Sequence, residues 1–423
     1  MGTLQLQTIG VSGLILLLVI VEILRVQKFI TPFTLVALPF LVIFLTTNFV
    51  LVHFKYPSIP PTVLFFLTAQ MVILWVIGVM LAYFFPRDIF QRTIQTELVE
   101  QFYARFTPFF IALGLLSAAI IVKKALSLFA AHGGIQYFAH PNYEKFMTRG
   151  VAAHFIQVAK VSFFFLVISY RKSRYKLVIW IMFIILGLAI ALVQVKYHVL
   201  HLVFMALLYF TLSKSTTQQL KTLVVAALLL IIFFNVFWIL IALAGGVLNS
   251  QIIQKALVRY MVNYIASGTM SLETWMHHSN VMPEWAPLVT LKNMWNAFVG
   301  NPHRYNLVRV VSLDFMWIAP GVVSNVGTAY GPFFLIGGTP LAWAYTIVIG
   351  ILFYLLYYLN FIFKNVFVIF LNLLFMVFAI FTFFVQYFLS PSTIEMPVIL
   401  LFLAGGLRAW SGFKTYVFKQ KDS

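Results

Sequence analysis

The sequence predicts an all-α, polytopic integral membrane protein with about eleven transmembrane helices and a long extracytoplasmic loop containing short helices. Three observations carry this. Of 423 residues, 62% are hydrophobic, 17% aromatic and only 9% charged; a water-soluble domain cannot hide so much apolar surface, whereas hydrocarbon accepts it. Apolar runs of spanning length recur from end to end, roughly 20 residues being needed for each crossing. The basic residues fall mainly in short connections between those runs. There, anionic lipid and membrane orientation account for a formal charge of +18 better than nucleic acid does.

In order, the runs lie at 4–24, 33–53, 61–85, 106–130, 150–169, 176–194, 197–213, 220–244, 339–363, 365–388 and 393–410. They divide the chain into 1–244, with the first eight; 245–338, an interruption with amphipathic or re-entrant helices; and 339–423, with three more and a cytoplasmic tail. Pro60–Pro61 and Phe85–Pro86 mark helix ends, because the residue before a proline is pushed out of the helical region. No Lys or Arg precedes Arg25. A cleavable leader opens on positive charge, so the first run is expected to be a span with its N-terminus outside. The connections then alternate. Arg25 and Lys28, Arg87, Arg92 and Arg105, Arg171 to Lys176, Lys214 and Lys221, Lys364, and Arg408 to Lys421 all fall on one side. The positive-inside rule makes that side the cytoplasm, which leaves 245–338 outside.

Polar chemistry collects in the interruption. Gln251, Lys255, Arg259, Asn263 and Ser267 recur at every fourth residue, forming one stripe of a helix, with Gly268 as its natural stop. Two readings stand open: an interfacial helix with its charges in water, or Lys255 and Arg259 facing a cavity and a phosphate, which the planar guanidinium fork suits. The run Asn301-Pro302-His303-Arg304-Tyr305-Asn306-Leu307-Val308-Arg309 offers two Arg and a His to a diphosphate, or is a solvated loop over headgroups. Asp314 either pairs with Arg309 or, as a carboxylate beside the next span, is a candidate base. Trp275, Trp285 and Trp295 read as interfacial anchors or as platforms for sugar rings. His277 and His278 are adjacent, point apart on a helix and make a poor metal pair.

Cations also stand inside the runs. Lys196, His198 and His201 head one span; Lys160 lies within another, with Lys123, Lys124 and His154 in or near the membrane. An ionisable group at membrane depth is rare and is a functional candidate by default. Lys196 either snorkels to headgroups or binds substrate, and Lys160 needs a partner or a wet cavity. His198 and His201 share a face, but no carboxylate stands near, so no metal is expected. The absence of cysteine excludes a disulfide framework and a thiolate metal site. No Gly-rich nucleotide loop is present, so nucleotide hydrolysis does not drive the protein. Ten acidic residues are too few for a proton relay or a carboxylate-rich Mg²⁺ or Ca²⁺ site. No cofactor is called for. A membrane-bound anionic ligand, held by cations without metal, fits this inventory.

The segment Ser324-Asn325-Val326-Gly327-Thr328-Ala329-Tyr330-Gly331-Pro332-Phe333-Phe334-Leu335-Ile336-Gly337-Gly338 resembles the Asn-Val-Tyr-Thr-Ala…Phe-Gly segment of the bacterial oligosaccharide repeat-unit polymerases, the Wzy-type O-antigen and capsule polymerases. The layout is similar too: a cation opening a central span, here Lys196, and a large external loop before the last helices. Gly327 stands where Tyr is common, Leu335-Ile336-Gly337 lacks the Asp that often precedes Phe-Gly, and Lys196 replaces a common Arg. The resemblance implies a glycosyltransferase of the bacterial inner membrane. It would join a growing chain on undecaprenyl diphosphate to a new lipid-linked repeat unit at the extracytoplasmic face. Arg259, Arg304 and Arg309, with Lys196, would hold the diphosphates and stabilise the leaving group's charge. His303, His198 or Asp314 would orient or deprotonate the acceptor hydroxyl. Asn325, Thr328 and Tyr330 would hydrogen-bond sugar, or cap a re-entrant turn; Lys255, Asn263 and Lys160 complete the expected binding set. Expected partners are the lipid-linked oligosaccharide, membrane lipids, a chain-length regulator and a flippase, with no nucleic acid. Two alternatives stand beside this reading, of which the first shares the layout. One is an O-antigen ligase; the other is a transporter or flippase of the same lipids, for which two related halves would be expected.

Overall fold

The computed structural model describes residues 2–86, 96–140, 142–244, 251, 262, 265–278, 316–319, 322–324, 326–384 and 391–421. A bilayer offers the backbone no hydrogen-bond partner, so a spanning segment must pair its amides internally; among the described residues, helices accordingly occupy the apolar runs. In chain order they are α1 (Thr3–Val26), α2 (Pro32–Leu45), α3 (Pro61–Ala82), α4 (Glu97–Ala104), α5 (Thr107–Ala131), α6 (Tyr143–Met147), α7 (Val151–Ser169), α8 (Lys176–Ala191), α9 (Lys196–Leu212), α10 (Thr216–Ala244), α11 (Ser267–His277), α12 (Gly331–Ile362), α13 (Val366–Ile380) and α14 (Pro391–Lys421). Among the described residues, eight helical stretches are long and apolar enough to cross a membrane, and Lys176–Ala191 and Tyr197–Leu212 are shorter apolar helices. The chain is an all-α membrane protein in this sense.

Two features depart from the expectation. Met316–Ala319 and Val322–Ser324 pair as an antiparallel hairpin, β1–β2, where only helices were expected. Gly268 does not stop a helix; it lies in the first turn of α11. A Cβ at Gly268 would stand 3.0 Å from the Phe383 carbonyl oxygen, 3.2 Å from that of Phe384 and 3.2 Å from the Thr328 nitrogen. Close backbone approach, not helix termination, is what glycine supplies here.

The chain forms two compact units. The first comprises Met1–Ile94, Phe210–Ile362 and Leu374–Pro391. In it, α1, α2 and α3 pack together, and α3 and α11 both pack on α12. Thr31 and Thr34 form a reciprocal cap at the start of α2, and Pro61 occupies the first turn of α3, where its missing N–H costs nothing. Asn48, buried in a π-turn beyond α2, donates to the Thr8 hydroxyl at 2.9 Å and accepts from the Ile59 amide at 2.7 Å. Helix α12 is broken at Gly337 and at Gly338, the latter at φ +61°, so a short segment Gly331–Ile336 precedes the longer apolar stretch.

The second unit comprises Gln95–Tyr209, Phe363–Leu373 and Ser392–Ser423. Here α5 packs on α7 and α8, and α4 packs on α7. Phe110 and Phe165 stack at 4.2 Å between ring centroids. Glu100, almost fully buried on α4, accepts from the Tyr209 hydroxyl at 2.7 Å and the Thr96 hydroxyl at 2.8 Å, with Arg171 at 3.5 Å. Beside it, on the surface, Lys172 donates to Glu97 at 2.6 Å. That hydrogen bond holds the Glu97 carboxyl below its ordinary range.

Candidate functional site

Helix α7 is buried over most of its length, and Lys160 sits at its middle with no exposed surface. Its Nζ lies 2.8 Å from Nδ1 of His198, in the first turn of α9, and 5.2 Å from the centroid of the Tyr197 ring. The adjacent Tyr197 hydroxyl is 3.0 Å from Nδ1 of His201, and Nε2 of His201 is buried without a hydrogen-bond partner among the described residues. When Lys160 is an ammonium it donates to Nδ1, and His198 then carries its own proton on Nε2. The result is a donor-rich cluster drawn from two helices of the second unit.

The carboxylate whose charge acts on Lys160 is Glu395, near the start of α14. Its own hydrogen bond goes elsewhere, to Nδ1 of His154 at 2.7 Å. Lys160 therefore has a neutral imidazole as its close partner. Glu395 attracts this buried group without a hydrogen bond to it, and a further anion in hydrogen-bond reach would complete the site. Such a cluster can hold a phosphate oxygen or stabilise negative charge that develops on a leaving group. Among the described residues, no group of three or more His, Cys, Asp or Glu side chains is placed to hold a metal ion.

The quoted segment 326–336 lies in the first unit and is packed throughout. Gly327 and Gly331 lie against the indole of Trp275, where a Cβ would come within 2.5 Å and 2.7 Å of ring carbons. Trp275 is accordingly buried, a core residue rather than the interfacial anchor or sugar platform expected of it. Ser271 donates to the Val326 carbonyl, Ser324 to the Ser267 hydroxyl at 3.2 Å, and the Ala329 amide to the Thr382 carbonyl at 2.8 Å. Thr328, at φ +61°, accepts from the Tyr330 amide at 3.3 Å. The Tyr330 ring meets Phe66 and Tyr345 edge-on. Both Thr328 and Tyr330 are buried.

Of the residues singled out from sequence, Lys160 and His198 come together and Thr328 and Tyr330 come together. Lys196 opens α9. Lys255, Arg259, Asn263, His303, Arg304, Arg309, Asp314 and Asn325 lie outside the described residues. Sequence reasoning passed over Glu395, whose signal was a lone acid within an apolar run, and over Tyr197, which had none. His201 was weighed only as a metal ligand, although its shared face with His198 was the clue to this cluster.

One family model matches residues 50–409, a family of unknown function (DUF6337). No curated protein and no solved structure matches the chain.

Proposed function

We propose, for a chain that belongs to the DUF6337 family and is built of membrane helices, that it polymerises lipid-diphosphate-linked oligosaccharide repeat units at the extracytoplasmic face of a bacterial inner membrane. The observation that carries this reading is the fully buried Lys160, whose hydrogen-bonding partner is His198 rather than a carboxylate. A diphosphate would add a directly hydrogen-bonded counter-charge, since Glu395 spends its own hydrogen bond on His154. The sugar–phosphate bond breaks as a new glycosidic bond forms, negative charge grows on the departing lipid diphosphate, and preorganised donors in a dry site lower that barrier. Lys160, His198 and His201 serve the diphosphate, and Arg259, Arg304, Arg309 and Lys196 belong to the same proposed chemistry.

The test is the glycan profile of a deletion strain. A repeat-unit polymerase leaves surface glycan one repeat long; long polymer accumulating on the carrier lipid identifies a ligase, and repeat units retained in the cytoplasm identify a flippase. Unchanged surface glycan overturns all three readings.

A further inference from the structure

His154 and Glu395 have no role in holding the diphosphate, yet their geometry is that of a base and its orienting acid. His154 stands in the first turn of α7. Glu395 stands near the start of α14. Both helices of the second unit thus begin at this point, which the charge alternation of the loops places on the external side. Glu395 Oε1 lies 2.7 Å from His154 Nδ1. A carboxylate on Nδ1 keeps the ring proton there, leaves the lone pair on Nε2 and stabilises the imidazolium once Nε2 has taken a proton. The His154 side chain is 71% exposed and that of Glu395 24% exposed. The imidazole is largely exposed while the orienting acid is sheltered.

The other titratable groups of this cluster are Lys160, six residues further along α7, and His198 and His201 on α9. Of these, Lys160 is attracted by the charge of Glu395, whose hydrogen bond goes to the surface imidazole.

We infer that His154, oriented by Glu395, is the general base that takes the proton of the acceptor sugar hydroxyl. This rests on the polymerase reading. The acceptor oxygen attacks the anomeric carbon of the donor sugar and its proton passes to His154 Nε2. The bond from that carbon to the diphosphate oxygen breaks, and its electron pair leaves with the lipid diphosphate. Water then removes the proton from the imidazolium. His154 is the catalytic residue; Glu395 acts through it as a positioning residue.

The experiment uses the full chain in lipid nanodiscs, with lipid-linked repeat units extracted from the deletion strain, and follows chain growth between pH 5 and 9. His154→Gln is expected to lower kcat by about 10²- to 10³-fold, in the range general-base catalysis contributes, with KM nearly unchanged. Glu395→Gln removes the carboxylate that orients the ring, so kcat should fall with KM nearly unchanged. Glu395→Asp should restore part of the rate. Melting temperatures within a few degrees of the parent's show that the variants are folded. A wild type that extends chains, with both Gln variants matching its kcat and pH profile, overturns the dyad and leaves the polymerase reading standing. A wild type that extends no chain overturns both.

Discussion

The ring of Tyr354 lies directly on the backbone of Gly78: a Cβ added to Gly78 would overlap Cζ of that ring and stand 2.6 Å from both Cε1 and Cε2. The Tyr354 side chain of α12 thus packs on the bare backbone of α3, and the contact is set by the missing methyl group. Gly78→Ala is predicted to lower stability by about 2 kcal/mol, as overpacking of a filled core does. Thermal unfolding in detergent measures it. Pairing the change with Tyr354→Leu should recover part of the loss, because the two residues share one contact. Additive losses in the double variant would show that the ring does not press on residue 78.

The same tyrosine reaches a buried charge. Glu22, with no exposed surface, accepts from the Tyr354 hydroxyl at 3.0 Å and from Arg25 Nη2 at 2.7 Å. Arg25 also donates to the Gly78 carbonyl at 3.4 Å, and Tyr358 donates to the same oxygen at 2.8 Å. Removing one member of a buried pair strands the other, at a cost of about 3 kcal/mol. Glu22→Gln should show that loss by denaturant unfolding in detergent, and Glu22→Gln with Arg25→Met should be more stable than Glu22→Gln alone. If the single variant unfolds at the parent's midpoint, the pair contributes nothing to the clasp of α1, α3 and α12.

How much of this was legible beforehand differs between elements for physical reasons. The apolar runs announce helices because hydrocarbon leaves a backbone few other solutions, so the helices follow composition with little help from tertiary contacts. Lys160 stood out in the same way, as a charge where lipid-facing sequence has none. Its partner did not, because His198 lies on another helix and only packing brings the two together. Trp275 was misread for a related reason: what buries it is the absence of side chains at Gly327 and Gly331, far along the chain. Gly268 shows the converse, where a residue read locally as a helix stop is in fact required by three backbone atoms from elsewhere in the fold.

Lys160→Met separates function from stability. Relief of a desolvated ammonium stabilises the fold. The lone pair left unpaired on His198 Nδ1 costs about 1–3 kcal/mol. The two effects oppose each other, so the melting temperature should move little. Chain growth should fall more than tenfold if the ammonium serves the diphosphate. A stable Lys160→Met protein that still builds long surface glycan would remove Lys160 from the chemistry.

The outer cations make an independent prediction. Arg259→Ala and Arg304→Ala should each leave the protein inserted in the membrane while cells display single-repeat glycan, since a guanidinium that pairs with a phosphate through two hydrogen bonds is not replaced by solvent. Glycan electrophoresis beside a membrane immunoblot reads both quantities. Long polymer in both variants, at parental protein levels, would mean that these two arginines do not take part in the reaction.

Topology underlies all of this chemistry, and the sequence provides a clean way to test it. The chain contains no cysteine, so a single introduced thiol is the sole target for a maleimide. The long interruption at 245–338 is basic, yet long loops translocate largely regardless of charge, and the charge bias of the short loops predicts that it lies outside. Ser279→Cys should therefore react with a membrane-impermeant maleimide on intact spheroplasts, whereas a cysteine replacing Lys364, in a short basic loop, should react only after permeabilisation. The reverse pattern would place the interruption in the cytoplasm. The His154–Glu395 end of the second unit, assigned to the outside by the same alternation, would then face inward, away from any lipid-linked sugar presented at the outer surface.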